Sequence, residues 1–509
     1  MSGGLPGPSH GLKVLQVSAE AVPLVKTGGL ADVVGALPDA LAGQGIASRL
    51  LLPGFPAVRQ ALSQPRPIAT LPCPWKGLAP QLVCGRLAPF GQAMVYVILA
   101  PDLYERPGGP YADPNGQAWA DNHRRFAPLG WAARALARGA DPTWRPDVVH
   151  AHDWHAGLAP AALAHAGRPA ASVMTIHNLA YQGLFPAQSF LELDLPASAW
   201  DIEGVEFWGQ VSFMKAGLHH ADALSTVSPT YAREILEPAN GCGLDGVLRA
   251  HAGGVAGILN GVDYQVWHPS VDGHLPQNYD ARDLAGKAAC KAHVQQAHGL
   301  RETPQAMLAA VVSRLTSQKG LDLLLQALPQ LLADGTQLVV LGQGDPALEA
   351  GYAQAAERHP AQVVLLRAHD EALAHRLFAA ADLVLVPSRF EPCGLTQLYA
   401  MAYGALPLVH HVGGLADTVH DATLEALQDD QATGFVFHGF ERHALEAAMR
   451  RAQLLWRRPQ DWAQMRQRAM AQRFDWARAA AAYAVLYERA LQRSRIGAMV
   501  EATGALGGR

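Results

Sequence analysis

The chain is 509 residues long, half of them apolar and 17% charged, with a mean hydropathy of +0.03, so it carries material for two large buried cores. A formal net charge of −4 and a pI near 6.6 exclude the basic footprint of a nucleic-acid binder, and no apolar run approaches the ~20 residues needed to cross a bilayer. Five cysteines scattered at 73, 84, 242, 290 and 393 suggest neither a disulfide framework nor a thiolate metal site; with no signal-peptide pattern in residues 1–11, a cytoplasmic protein is expected.

In chain order, short apolar, β-branched runs recur at 12–17, 49–52, 93–99, 147–150, 172–176 and 223–227, separated by helix-length segments. A second series follows at 307–312, 337–341, 362–366, 382–386 and 406–410. Runs of this length with helical spacers predict parallel sheets covered on both faces. Right-handed crossovers then make each series a doubly wound, Rossmann-like domain. The break between them is GILNGVD at 257–263, followed by WHP at 267–269. The expected organisation is an N-terminal domain 1–262, a C-terminal domain 263–474, and a closing segment 475–509 with a helix over 475–492 before a Gly-rich tail. The fold class is α/β: two Rossmann-like doubly wound domains facing a deep cleft that holds the ligand.

Five motifs carry chemistry. The first is KTGGLADVVGALP at 26–38, directly after the first strand. Gly28 and Gly29 let backbone N–H groups approach an anion, the helix starting near Leu30 points its positive end there, and Lys26 adds a full charge. A plain strand-to-helix turn with a surface lysine is the alternative; the place after the first strand of a doubly wound sheet favours function. The second is VVHAHDWH at 148–155, where Asp153 and Trp154 suit a sugar: a carboxylate for hydroxyls and a ring for the apolar pyranose face. His150, His152 and His155 invite a metal reading, but no cysteine or carboxylate stands at a usual ligand spacing.

His177, in MTIHNLAYQG at 174–183, ends another strand and reads equally as a structural residue or a site residue. In the second series, VSRLTSQKG at 312–320 brings Arg314 and Lys319 to a helix start, two cations for a pyrophosphate. The fifth motif, PSRFEPCGLTQ at 387–397, is the most specific. Gly394, Leu395 and Thr396 open a helix with N–H groups for a phosphate. Glu391 stands just before it, at the cleft mouth, where an unpaired surface acid is poorly placed and a carboxylate gripping sugar hydroxyls is well placed.

With these residues in view, the chain resembles the bacterial glycogen and plant starch synthases, retaining glycosyltransferases of the GT-B fold, from about Lys13 to the final helix. The segments 26–38, 150–158, 175–183, 206–234, 257–263, 313–320 and 387–398 all look like family signatures. The resemblance implies glucose transfer with retention from ADP-glucose to the 4-hydroxyl of glycogen or another α-1,4-glucan. It implies no metal and no cofactor, and a final helix that crosses back onto the first domain. It assigns Lys26, Arg314 and Lys319 to the donor pyrophosphate, with Gly28 and Gly29 beside them. Cys393, Gly394, Leu395 and Thr396 fall to the phosphate and glucose. Glu391, His177 and Asn260 hold glucose hydroxyls, His369 underlies the base, and Asp32, Asp153 and Trp154 face the acceptor.

The chain departs from the family pattern at His369, where an aromatic platform is usual, at Cys242, and at His410 and His411. A related glycosyltransferase using a UDP- or GDP-sugar often has a second glutamate eight residues after the first; here that position is Tyr399. A dinucleotide oxidoreductase needs G-x-G-x-x-G after the first strand, which Gly28-Gly29 does not satisfy. A non-catalytic glucan binder is expected to lose Lys26, Lys319 or Glu391, and all three are present.

Overall fold

The computed structural model describes residues 11–91 and 93–507, with 497–507 as backbone only; the signal-peptide reading of 1–10 lies outside the described residues. The chain divides into two compact units. The first holds the chain up to Val227, Ala232–Gly261, and the chain from Trp476; the second holds Ser228–Tyr231 and Val262–Asp475. Among the described residues no helix is long and apolar enough to cross a membrane.

The first unit is built on β1 (Lys13–Val17), β2 (Ala47–Pro53), β3 (Leu62–Thr70), β4 (Gln81–Leu87), β5 (Met94–Leu99), β6 (Val148–His152) and β7 (Ala171–Ile176). It adds a small antiparallel sheet of β8 (Leu184–Pro186), β9 (Glu206–Phe207) and β10 (Gln210–Ser212), then β11 (Ala223–Thr226) and β12 (Val255–Gly257). The main sheet runs β12-β11-β7-β6-β1-β2-β5-β4-β3. Pairing is parallel from β12 to β5, and β4 and β3 add an antiparallel edge. Strands β6 and β7 are buried along their whole length, as a sheet covered on both faces requires. Strand β3 escaped the sequence reading because Pro65 and Pro67 interrupt it and much of it is exposed. Prolines of this kind are tolerated only at a sheet edge.

One face of that sheet is closed by the helix Gly29–Ala42 and the final helix, Trp476–Gly507. Val33 and Leu37 of the former and Tyr483 and Tyr487 of the latter share a core with Val14 and Val148. Each fully buried aliphatic side chain there contributes about 1.5–3 kcal/mol. The last helix runs on through the segment read as a Gly-rich tail.

The second unit contains β13 (Leu308–Val312), β14 (Gln337–Leu341), β15 (Val363–Leu366), β16 (Leu383–Val386), β17 (Leu406–His410) and β18 (Phe435–Phe437), all parallel. Their order is β15-β14-β13-β16-β17-β18. Counted from β13 this is the doubly wound order 3-2-1-4-5-6, with ligand positions at the reversal between first and fourth strands. In the first unit the reversal lies between β1 and β6. The three-residue β18 is too short to show a period in sequence, and the sequence reading omitted it.

Candidate active site

In the first unit, the loop after β1 turns back on itself and enters the helix Gly29–Ala42. Lys26 and Asp32 close a salt bridge across that entry, Nζ to Oδ1 at 2.9 Å. Asp32, assigned by the resemblance to the acceptor, here holds the lysine assigned to the donor. Gly28 is in extended backbone and a Cβ there would meet nothing within 4 Å. The turn itself therefore does not need glycine at 28.

Glu20 shapes this loop and was missed by sequence reasoning. It is buried, accepts the Thr27 N–H and the Tyr111 hydroxyl, and takes a further bond from the Gly28 backbone. Burial pushes its carboxyl above the usual range, against the pull of those hydrogen bonds. Of the two glycine N–H groups expected to face an anion, that of Gly28 is already engaged by this carboxyl, as is the N–H of Thr27. The signal was available: a lone acid inside the apolar run SAEAVPLV at 18–25, between a strand and a glycine loop.

Beyond β6, Asp153 begins the short helix Asp153–Ala156 at φ +60°, a left-handed conformation that Asp tolerates better than most residues. Its carboxyl is buried and, among the described residues, accepts long bonds from the N–H of His177 at 3.3 Å and of Asn178 at 3.4 Å. Desolvation raises its pKa to about 8. The sequence reading treated it as a carboxylate; in this environment it is a neutral acid at pH 7. Tyr111, which bonds Glu20, also stacks on His155 at 4.4 Å, so the 26–29 loop and the Asp153 turn share one support.

His150, His152, His155 and His177 are all buried, and burial pulls each well below the ordinary histidine range, His177 to about 3. Their ring nitrogens bond protein groups: His150 to Tyr487 and Thr175, His152 to Gln16 and to His177. Among the described residues no group of three or more His, Cys, Asp or Glu side chains is arranged to hold a metal ion. Trp154 lines an open pocket of roughly 520 Å³ with Tyr181, Gln182, Leu184, Phe207 and Cys242. Asn260 is buried, and its Oδ1 has no partner among the described residues.

In the second unit, Glu391 is buried and paired. Lys319 Nζ donates to its Oε2 at 2.6 Å and Ser388 Oγ donates to the same oxygen at 2.8 Å. His410, from β17, contributes a ring N–H to the Ser388 carbonyl at 2.8 Å and stacks on Phe437 at 4.9 Å. The departure at His410 thus supports the Glu391 loop from below. Lys319, Ser388 and Thr396 line a small hollow together with Ser313. Gly394 has φ +73° and precedes the helix Thr396–Ala402, capped at Leu395. Cys393 is buried, and its carbonyl accepts from Gln397. Arg314 is exposed in the loop after β13, with no carboxylate partner among the described residues. His369 is exposed in the loop after β15.

The predicted residues therefore form two sets. Lys26, Gly28, Gly29, Asp32, Asp153, Trp154, His177 and Asn260 belong to the first unit, and Arg314, Lys319, His369, Glu391, Cys393, Gly394, Leu395 and Thr396 to the second. Two of the three expected phosphate cations, Lys26 and Lys319, already hold a carboxylate.

Residues 13–250 match the family model described as the starch synthase catalytic domain, and 295–469 the one described as glycosyl transferases group 1. A protein from Variovorax paradoxus (strain S110) named glycogen synthase is 53% identical over 94% of this chain and 99% of its own. One of the same name from Yersinia pseudotuberculosis is 52% identical over 94% and 100%. Among solved structures, the catalytic domain of starch synthase IV from Arabidopsis thaliana, bound to ADP and acarbose, superposes with a TM-score of 0.85 at 29% identity, covering 95% of this chain and 100% of that one. Sucrose-phosphate synthase from Thermosynechococcus elongatus, at 18% identity and a TM-score of 0.58 over 94% and 98%, shares the fold.

Proposed function

The chain belongs to the glycogen and starch synthase family of glycosyltransferases, and on that premise we propose that it transfers glucose from ADP-glucose to the non-reducing 4-hydroxyl of an α-1,4-glucan, with retention and without a metal. The observation that carries the reading is the buried Glu391, gripped by Lys319 and Ser388 where β16 ends, at the reversal point of a doubly wound sheet. A carboxylate so held can take sugar hydroxyls, and its lysine can turn to the departing phosphate. ADP in the Arabidopsis structure supports the nucleotide, and acarbose there supports a glucan acceptor.

In the proposed reaction the acceptor's 4-oxygen forms a bond to the anomeric carbon as the bond from that carbon to the phosphate oxygen breaks. The hydroxyl proton passes to the departing phosphate on the same face. The transition state is oxocarbenium-like, and the growing negative charge on ADP falls to Lys26, Arg314 and Lys319 and to the amides of 394–396. These cations take the part a divalent ion plays elsewhere; the sequence has no Asp-x-Asp pair to hold one. The pocket walled by Trp154, Tyr181 and Phe207 offers rings to the apolar faces of successive glucose units. The orphaned Asn260 Oδ1 is available to a hydroxyl of the donor sugar. A cytoplasmic site of action belongs to the same reading.

The test is transfer of labelled glucose onto glycogen, with ADP-glucose and UDP-glucose at equal concentration and EDTA present. Strong incorporation from ADP-glucose is expected. Incorporation that EDTA abolishes, or that only UDP-glucose supports, overturns the metal or the donor assignment respectively.

A further inference from the structure

Beneath the candidate site residues of the first unit runs a buried chain of hydrogen bonds with a definite direction. Gln16, in β1, is fully buried and sits at its centre. Its amide Nε2 donates to the Tyr487 hydroxyl at 3.1 Å, and its Oε1 faces His152 Nε2 at 2.7 Å. His152 Nδ1 lies 3.0 Å from His177 Nε2. On the other arm, the Tyr487 hydroxyl lies 2.9 Å from His150 Nδ1, and His150 Nε2 2.6 Å from Thr175 Oγ1.

An amide nitrogen can only donate and an amide oxygen can only accept, so glutamine sets the sense of a chain in which every other member can do both. Because Oε1 accepts, His152 Nε2 carries the proton. A neutral imidazole has one N–H, so His152 Nδ1 is bare and accepts from His177 Nε2. Burial keeps both rings neutral. His177 is thereby left with a bare Nδ1, for which no partner occurs among the described residues. On the other arm the Tyr487 hydroxyl accepts from Gln16 and donates to the bare Nδ1 of His150, whose Nε2–H donates to Thr175 Oγ1. No donor meets a donor anywhere along the path.

We propose that Gln16 and Tyr487 are positioning residues that fix the tautomer of His177, through His152, so that it meets the donor sugar as a hydrogen-bond acceptor. This rests on the reading of His177 as a sugar contact and deepens it. It also gives the final helix a chemical task, since Tyr487 stands 471 residues from Gln16 and reaches it only through the fold.

The experiment is a cycle of Gln16→Leu, His177→Ala and the double variant, each checked for a native thermal melt and assayed for kcat and KM. Gln16→Leu is expected to lower kcat about tenfold, the scale of one lost hydrogen bond, with KM for glucan unchanged. The double variant is expected to be no slower than His177→Ala, because both act through one ring. Additive losses make Gln16 merely structural and overturn the proposal. Tyr487→Phe, which retains packing but frees the amide to turn, should lose about twofold to threefold, and an unchanged rate removes it from the path. Should Gln16→Leu not fold, the same cycle is run with Tyr487→Phe.

Nucleotide-glucose analogues with each ring hydroxyl in turn deleted or replaced by fluorine test the direction. At the position His177 touches, both analogues should lose about tenfold in kcat/KM, since fluorine has no proton to give. A fluoro analogue that keeps the parental rate where the deoxy analogue loses it reverses the assigned polarity. A parental rate in His177→Ala instead removes the sugar contact itself, and the proposal with it.

Discussion

The two units solve the same problem with opposite materials. In the second, the loop after β16 is locked by its own backbone. Gly413 has φ +45°, and a Cβ there would lie 1.9 Å from the Glu391 carbonyl oxygen. Glu391 is held by a cation and a hydroxyl. In the first, the loop at 26–29 is loosely shaped: Gly28 faces open space, and the loop is fastened from below by the buried Glu20. Around it the chemistry is neutral, with an acid that burial keeps protonated and four histidines that burial keeps uncharged. Glycine in the second unit answers to the fold, whereas Gly28 answers to nothing the fold contains. Glycine at that position is expected where a ligand must come close to the main chain.

The sharpest way to break this contrast is Glu391→Ala. It should fold and lose about a thousandfold in transfer rate, on the scale of removing a preorganised charged contact. A near-parental rate on labelled glucose transfer takes Glu391 out of the site, and an unfolded protein makes its role structural. Next, Gly413→Ala should destabilise the fold by roughly 2–4 kcal/mol, since both the left-handed conformation and the clash must be relieved. Urea denaturation monitored by circular dichroism measures that loss, and a midpoint within error of the parent means the loop is not locked.

The electrostatic half of the contrast is tested with pH. The unfolded chain releases the Asp153 proton near the ordinary carboxylate value, whereas the folded chain holds it up to about 8. The folded state therefore binds more protons in that window, and stability falls as pH rises through it. Asp153→Asn should flatten this slope. The histidines act in the opposite sense: the folded chain takes up their protons only well below 6.5, so stability falls as pH drops below that value. Thermal melts across the range test both limbs, and a fall in stability from about pH 6.5 to about pH 8 that Asp153→Asn leaves unchanged removes Asp153 as its source. The smallest effect on stability belongs to Gly28→Ala, within about 1 kcal/mol of the parent. It should nonetheless lower activity at least about tenfold if phosphate approaches this backbone; a parental rate would make the glycine incidental in both respects.

By itself the sequence determined the parallel part of both sheets, because fully buried strands read as continuous apolar runs, and it marked the motif at the end of β1, β6, β7, β13 and β16; the antiparallel edge of β4 and β3 departs from the all-parallel expectation. It also carried the family, through motifs whose order is specific even where each is weak. It did not disclose β3, β4, β12 or β18, which are edge or near-edge strands and lack the unbroken apolar pattern of the centre. Only the tertiary structure decided the state of the site residues. Glu391 is paired because Lys319, 72 positions earlier, folds beside it. Asp153 is neutral because the fold removes water from it and supplies, among the described residues, two long N–H contacts. His177 has a set tautomer because Gln16 and Tyr487 meet from opposite ends of the chain. Residue identity is local and can be read off a sequence. Desolvation, pairing and hydrogen-bond direction are properties of what surrounds a side chain, and those neighbours come from distant parts of the chain.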